Sequence, residues 1–96
     1  MTVQIEFDAD KDAINRFKHR LQLAYGKRVF DDADVQVVPS FRPVDGEDRY
    51  KAVGVVDGKF YTAVFVERGE KTRLISVRRS NNSEQRDYNS DVRGPE

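Results

Sequence analysis

The chain contains no cysteine, so it can form no disulfide, no zinc thiolate centre and no thiol nucleophile. No apolar run approaches the roughly 20 residues a helix needs to cross a bilayer, and no secretory signal pattern opens the sequence. A soluble, cytoplasmic domain with no membrane association is the expectation. Net charge is missing too: 17 Lys and Arg balance 17 Asp and Glu. Bulk charge therefore cannot hold nucleic acid, although a local basic patch survives such a balance, because steering depends on how charge is distributed. With one histidine and no cysteine, a dedicated zinc or iron site lacks ligands. A glycine-rich phosphate loop, a serine-centred nucleophile motif and acidic spacing suited to paired metals are also absent. Neither a metal nor an organic cofactor is expected.

What the chain does have is a succession of short periodic segments. Its 96 residues suit one domain, expected over residues 1–88, with 89–96 (NSDVRGPE) fraying as a tail. Val3–Phe7 alternates apolar and polar residues as a half-buried strand does. Asp8 and Asp10 then offer capping carboxylates to a helix over 10–19, whose Ala13, Ile14, Phe17 and Leu21 form one apolar stripe. A second short helix is expected over 22–30, and a strand over Val35–Val38. Residues 39–48 form a long, proline-containing loop. Arg49–Val56 and Lys59–Val66 flank Asp57-Gly58, the preferred pair for a two-residue hairpin turn. That turn sets Val55 opposite Phe60, Val53 opposite Thr62 and Lys51 opposite Val64. Both faces of the hairpin are largely apolar, so it should lie centrally. Another strand over Thr72–Arg79 follows, then a short helix capped by Asn81 or Asn82, with Glu84 and Gln85 in its first turn. The fold class is α+β, with helices segregated to one face of a mostly antiparallel sheet.

Arginine is the residue that gathers. Arg73, Arg78 and Arg79 lie on one strand, Arg68 just before it, Arg86 beyond it, and Arg49 opens a strand reaching the same edge. A guanidinium binds phosphate through two parallel hydrogen bonds and stays charged, so several converging on a concave surface would grip a sugar–phosphate link. Arginines on small sheets also serve commonly as a solvated rim. His19 has the unperturbed pKa suited to proton transfer near neutrality, and Lys18 and Arg20 beside it favour its neutral form. Asp45, Glu47 and Asp48 could supply a carboxylate base. The pairs Asp8–Lys11 and Glu84–Arg86 read as caps and surface charges. Tyr88 and Phe41 are the aromatic candidates for stacking on a base.

The order of these pieces resembles the BrnT family, ribonuclease toxins of bacterial type II toxin–antitoxin pairs. The likeness rests on Phe7-Asp8 with Lys11, Asn15 with Lys18-His19, Val29-Phe30-Asp31, Glu47 with Arg49-Tyr50, Gly54 and Asp57-Gly58. It continues through Val64–Val66, Arg68-Gly69 and Arg73–Arg79 to Glu84, Arg86 and Tyr88. The family usually has glycine where this chain has Arg20, so the first helix is expected to end without a left-handed glycine stop. The resemblance implies a RelE-like fold, a small twisted sheet with two N-terminal helices and a short C-terminal one. It also implies metal-independent RNA cleavage that blocks translation, and neutralisation by a BrnA-like ribbon-helix-helix antitoxin through which alone operator DNA is bound. A 2:2 complex with that antitoxin, or a toxin dimer without it, is the expected assembly. In this reading the 2′-hydroxyl attacks the adjacent phosphorus. Glu47 or His19 takes the proton, Arg49, Arg68 and Arg78 stabilise the transition state, and Lys18, Arg79 or Arg86, with Tyr88, hold the strand. The competing reading is a toxin-fold partner without catalysis, acting only as co-repressor in an operator-binding complex.

Overall fold

The computed structural model describes residues 4–40 and 48–93. Strand β1 (Ile5–Phe7) leads into helix α1 (Ala9–His19). A 3-10 turn over Leu23–Tyr25 runs on into helix α2 (Gly26–Phe30). Strands β2 (Gln36–Pro39), β3 (Tyr50–Val56), β4 (Lys59–Arg68) and β5 (Lys71–Arg79) follow, and helix α3 (Asn82–Arg93) closes the chain. The strands make one five-stranded sheet in the order β1-β5-β4-β3-β2, with β1 parallel to β5 and every other pair antiparallel. The class is α+β, as expected.

The hairpin forms in the register that its turn demands, with Val55 opposite Phe60, Val53 opposite Thr62 and Lys51 opposite Val64. Asp57 (φ 52°) and Gly58 (φ 79°) both take positive φ, the geometry that matches the twist of the flanking strands. Alternation then sends Tyr50, Ala52, Val56, Tyr61, Ala63 and Phe65 to one face. Most of the core lies there, with Leu23 and Val29 pressed on it from the 3-10 turn and α2. Gly54 allows that approach: a Cβ on it would sit 2.7 Å from the carbonyl oxygen of Val29. A bulge between Val64 and Phe65 lets Leu74 pair with Phe65 and Val77 with Ala63. Leu74 and Val77, three residues apart, thereby both reach the core, and Ile75 is the extra residue between them.

Two expectations are corrected here. The helices do not share one face: α3 lies across the other side, where Glu84 meets Lys51 and Thr62 and Tyr88 meets the Phe60 ring edge-on at 5.4 Å. Helix α3 runs through Arg93, and no helix breaker occurs in the sequence before Gly94-Pro95. The apolar stripe of α1 is not its buried face. Phe17 is 87% exposed and Ile14 55%, and the buried residue of the helix is the polar Asn15.

Helix α1 lies along the sheet edge that β1 leaves open, since β1 covers β5 only from Thr72 to Leu74. Beyond it, Asn15 acts as a one-residue strand. Its Oδ1 accepts the Val77 N–H (3.0 Å) while its Nδ2 donates to the Val77 and Leu21 carbonyls (2.9 Å each). Asp8 caps the helix by accepting from the Asp10 N–H (2.7 Å), and Asp12 accepts the Leu23 N–H (2.7 Å), tying α1 to the next turn. Arg20 ends the helix in the left-handed conformation (φ 62°, ψ 28°), donating to the Arg16 carbonyl. The stop that the family builds with glycine is therefore retained without one.

Candidate functional site

Because α1 stands at the β5 edge, one face of it and the sheet face opposite the core enclose a cavity of about 460 Å³, a size typical of ligand sites. Helix α1 contributes Lys11, Ile14, Lys18 and His19, and the strands contribute Lys51, Val64, Ser76 and Arg78. Ser40 and Arg49 enter from the ends of the β2–β3 connection, and Asn81 and Glu84 from the start of α3. The Ser40 N–H donates to the Arg49 carbonyl (2.7 Å), carrying the β2–β3 ladder one step past Pro39–Tyr50 and fixing the backbone from which Arg49 projects. A chain with no net charge thus collects five basic residues, Lys11, Lys18, Arg49, Lys51 and Arg78, around one hollow, against one carboxylate among the described residues, that of Glu84.

That carboxylate is fully buried and takes five hydrogen bonds. Its Oε1 accepts from Arg78 Nη1 (2.8 Å), the Asn81 N–H (2.9 Å) and the Thr62 hydroxyl (3.0 Å). Its Oε2 accepts from Arg78 Nη2 (2.7 Å) and Lys51 Nζ (3.3 Å). Asn81 Oδ1 accepts the Glu84 N–H in return (2.9 Å), closing a capping box at the start of α3. Burial pushes the carboxyl up, but the Arg78, Asn81 and Thr62 hydrogen bonds outweigh it and hold the pKa down at about 2. Glu84 is therefore ionised at neutral pH and too weak a base to take a proton from a sugar hydroxyl. His19 is shifted the other way. Its partial burial, then the charges of Arg78 and Lys18, lower its pKa, so the imidazole is neutral at pH 7 and able to accept a proton.

Of the residues expected from sequence, the structure brings Lys18, His19, Arg49 and Arg78 together. Glu47 lies outside the described residues, as do Phe41 and Asp45. Arg68 is not part of the cavity. It stands opposite Lys71 at the far end of β4, six positions along the strand from the residue facing Arg78, or roughly 20 Å. Arg79, next to Arg78 on a strand, projects to the opposite face, with its guanidinium 5.5 Å from the centre of the Tyr61 ring. Arg73 pairs with Glu6 across β1 and β5 (3.4 Å). Arg86 is exposed on α3, outside the cavity. Tyr88 is buried, and its hydroxyl donates to Asp32 Oδ2 (2.8 Å), so it anchors α3 and offers no ring to a base.

Sequence reasoning missed Lys51, Lys11 and the role of Glu84. The signals were present. The hairpin turn sets Lys51 on the same sheet face as Thr62, although the β4–β5 register that puts Arg78 opposite Thr62 follows from the structure alone. Asn81-x-x-Glu84 is a capping-box pattern whose carboxylate must point back toward the preceding strand. Among the described residues no three His, Asp or Glu side chains cluster as metal ligands, and no helix is long and apolar enough to cross a membrane.

A family model described as ribonuclease toxin, BrnT, of type II toxin-antitoxin system matches residues 7–84. No curated protein matches the chain. The matched span runs from the end of β1 to the capping box of α3 and takes in every residue of the cavity. On that span, which covers most of its length, the chain belongs to the BrnT family of ribonuclease toxins and has an antitoxin as its partner class.

Proposed function

We propose that the chain cleaves RNA in the cavity between α1 and the sheet. The 2′-oxygen bonds to the adjacent phosphorus as the bond from phosphorus to the 5′-oxygen breaks, leaving a 2′,3′-cyclic phosphate and a 5′-hydroxyl. Neutral His19 takes the proton of the 2′-hydroxyl, with Glu47 the alternative base, and solvent protonates the departing oxygen. Arg49 and Arg78, with Lys51, meet the charge that builds on the phosphorane-like transition state, the electrostatic contribution that is usually largest in such sites. Lys18 and Lys11 hold the strand at the mouth, and exposed Arg86 is left for flanking phosphates. No metal takes part. Cleavage arrests translation, a BrnA-like ribbon-helix-helix antitoxin neutralises the toxin and carries the operator-binding surface, and the fold is RelE-like.

The observation that carries this reading is the convergence of Arg49, Lys51, Arg78, Lys18 and His19 on one hollow of a chain with no net charge. The test uses purified protein and single-stranded RNA in EDTA. Products ending in cyclic phosphate are expected, and an RNA with a 2′-deoxy sugar at the cut position should resist. Arg49→Ala with Arg78→Lys should slow cleavage at least ~100-fold, the scale of losing oxyanion-type donors. An unchanged rate in that variant, still folded, overturns the site. Growth arrest on expression without antitoxin separates this reading from a non-catalytic co-repressor.

A further inference from the structure

Arg78 is held in an unusual way for a residue that would grip a substrate. A guanidinium has five N–H donors. Arg78 gives one from Nη1 and one from Nη2 to Glu84, at 2.8 and 2.7 Å, and Nη1 donates again to the Arg79 carbonyl (3.3 Å). Among the described residues this leaves the Nε–H and the second Nη2 hydrogen. Those two lie side by side on one edge and form a second fork of the width of a phosphate. Lys51 is drawn to the same carboxylate at 3.3 Å, which sets its ammonium beside that edge. Glu84 is itself held by the Thr62 hydroxyl and the Asn81 N–H. The anchor therefore rests on β4 and on the helix cap.

We propose that Glu84 is a positioning residue of the RNA-cleaving site, holding Arg78 end-on so that its Nε–Nη2 edge, with Lys51 beside it, is presented to the scissile phosphate. The inference rests on the reading of the cavity as that site. It assigns Glu84 no contact with RNA and no proton transfer. The role is to remove the freedom of a long side chain before substrate arrives, the kind of preorganisation that lowers the barrier and leaves ground-state binding largely unchanged.

The experiment compares wild type, Glu84→Gln, Arg78→Lys and the double variant, each assayed well below its own melting temperature. Glu84→Gln should lower kcat at least ~30-fold while KM for RNA moves less than ~3-fold, because what is lost belongs to the transition state. Added to Arg78→Lys, it should lower kcat less than ~3-fold further, since the carboxylate acts through the guanidinium. A second readout does not need cleavage. Among the described residues Glu84 is the carboxylate lining the cavity with Lys11, Lys18, Arg49, Lys51 and Arg78. The charge of Arg78 already lowers the His19 pKa, so removing the anion paired with Arg78 should drive the His19 midpoint lower still. His19 is the only histidine, so its ring protons report this without ambiguity in an NMR titration. If Glu84→Gln does not fold, Glu84→Asp keeps the charge but withdraws it by one methylene, and the same kcat loss is expected. An unchanged kcat in a folded Glu84 variant, or fully additive losses in the double variant, overturns the assignment. If wild type cuts no RNA, the functional reading fails. An unshifted His19 midpoint in Glu84→Gln would then still count against Glu84 as the group that neutralises and holds Arg78 beside His19.

Discussion

Arg20 shows how a single residue records a compromise. Its left-handed backbone (φ 62°, ψ 28°) ends α1, and for a residue with a Cβ that conformation costs roughly 1–2 kcal/mol. Glycine escapes the clash but loses more chain entropy on folding. Arg20→Gly should therefore stabilise the protein by a net of about 0.5–1 kcal/mol, read as a higher urea midpoint with an unchanged slope. His19, one position earlier, carries a functional prediction of definite sign. Burial and the neighbouring charges of Arg78 and Lys18 favour its neutral form, so its pKa lies below 6.5. Cleavage should rise with pH through a midpoint under 6.5 and then level off, and His19→Gln should abolish that limb. A limb that survives the substitution would hand the role of base to another group, with Glu47 first in line.

At the scale of elements, two edge strands are too short for their neighbours, and in each case a polar side chain completes the ladder. Asn15 does so for Val77 where β1 stops. Asp32 does so for Val55 where β2 stops, its Oδ2 accepting that N–H at 2.8 Å. Asn15→Ala would strip three hydrogen bonds from buried or half-buried backbone groups and should destabilise by about 3 kcal/mol, given roughly 1–3 kcal/mol per group left unsatisfied. Phe17→Ser, by contrast, should change stability by less than about 0.5 kcal/mol, as surface substitutions do, because Phe17 is 87% exposed. This contrast marks what could be read in advance. The hairpin register followed from Asp57-Gly58 alone, because the turn is local chemistry. The buried face of α1 did not follow from periodicity, because a helix set on a sheet edge meets backbone groups that call for an amide in place of a hydrocarbon. The same limit applies to the arginines. Proximity in sequence grouped Arg68, Arg78 and Arg79, while strand alternation divides Arg78 from Arg79 and strand length removes Arg68. The bulge that places Ile75 and sets where Arg78 stands has no short-range signature, since nothing local fixes the β4–β5 register.

For the molecule as a whole, the cavity depends on α3 staying seated, and α3 is pinned by two ionisable groups of opposite behaviour. Near its start Glu84 must be charged. Its pKa falls from 4.5 to about 2 on folding, so its contribution is complete above pH 4.5 and is lost as pH drops toward 2. One turn on, Tyr88 must keep its proton. Burial and the hydrogen bond to Asp32 raise it from 10 to about 12, so its contribution is complete below pH 10 and is lost as pH climbs toward 12. Asp32, the acceptor, works with the acidic limb: burial pushes it up, but bonds from the Asp34 and Val55 N–H groups and the Tyr88 hydroxyl hold it below its usual value. The Glu84 and Tyr88 shifts each correspond to about 3 kcal/mol by linkage, a large part of the roughly 5–15 kcal/mol available to a domain. Urea-unfolding free energy should therefore show a plateau from about pH 6.5 to 10. Below 6.5 it should decline as the unfolded chain takes up the proton that folded His19 resists, and a shoulder should fall away on each side from Glu84 and Tyr88. Glu84→Gln should shrink the acid shoulder, leaving the part due to Asp32, and spare the alkaline one, and Tyr88→Phe should shrink the alkaline shoulder. If both variants instead lower the plateau evenly and leave the shoulders in place, α3 is held by apolar contact alone, and the cavity floor does not depend on its charges.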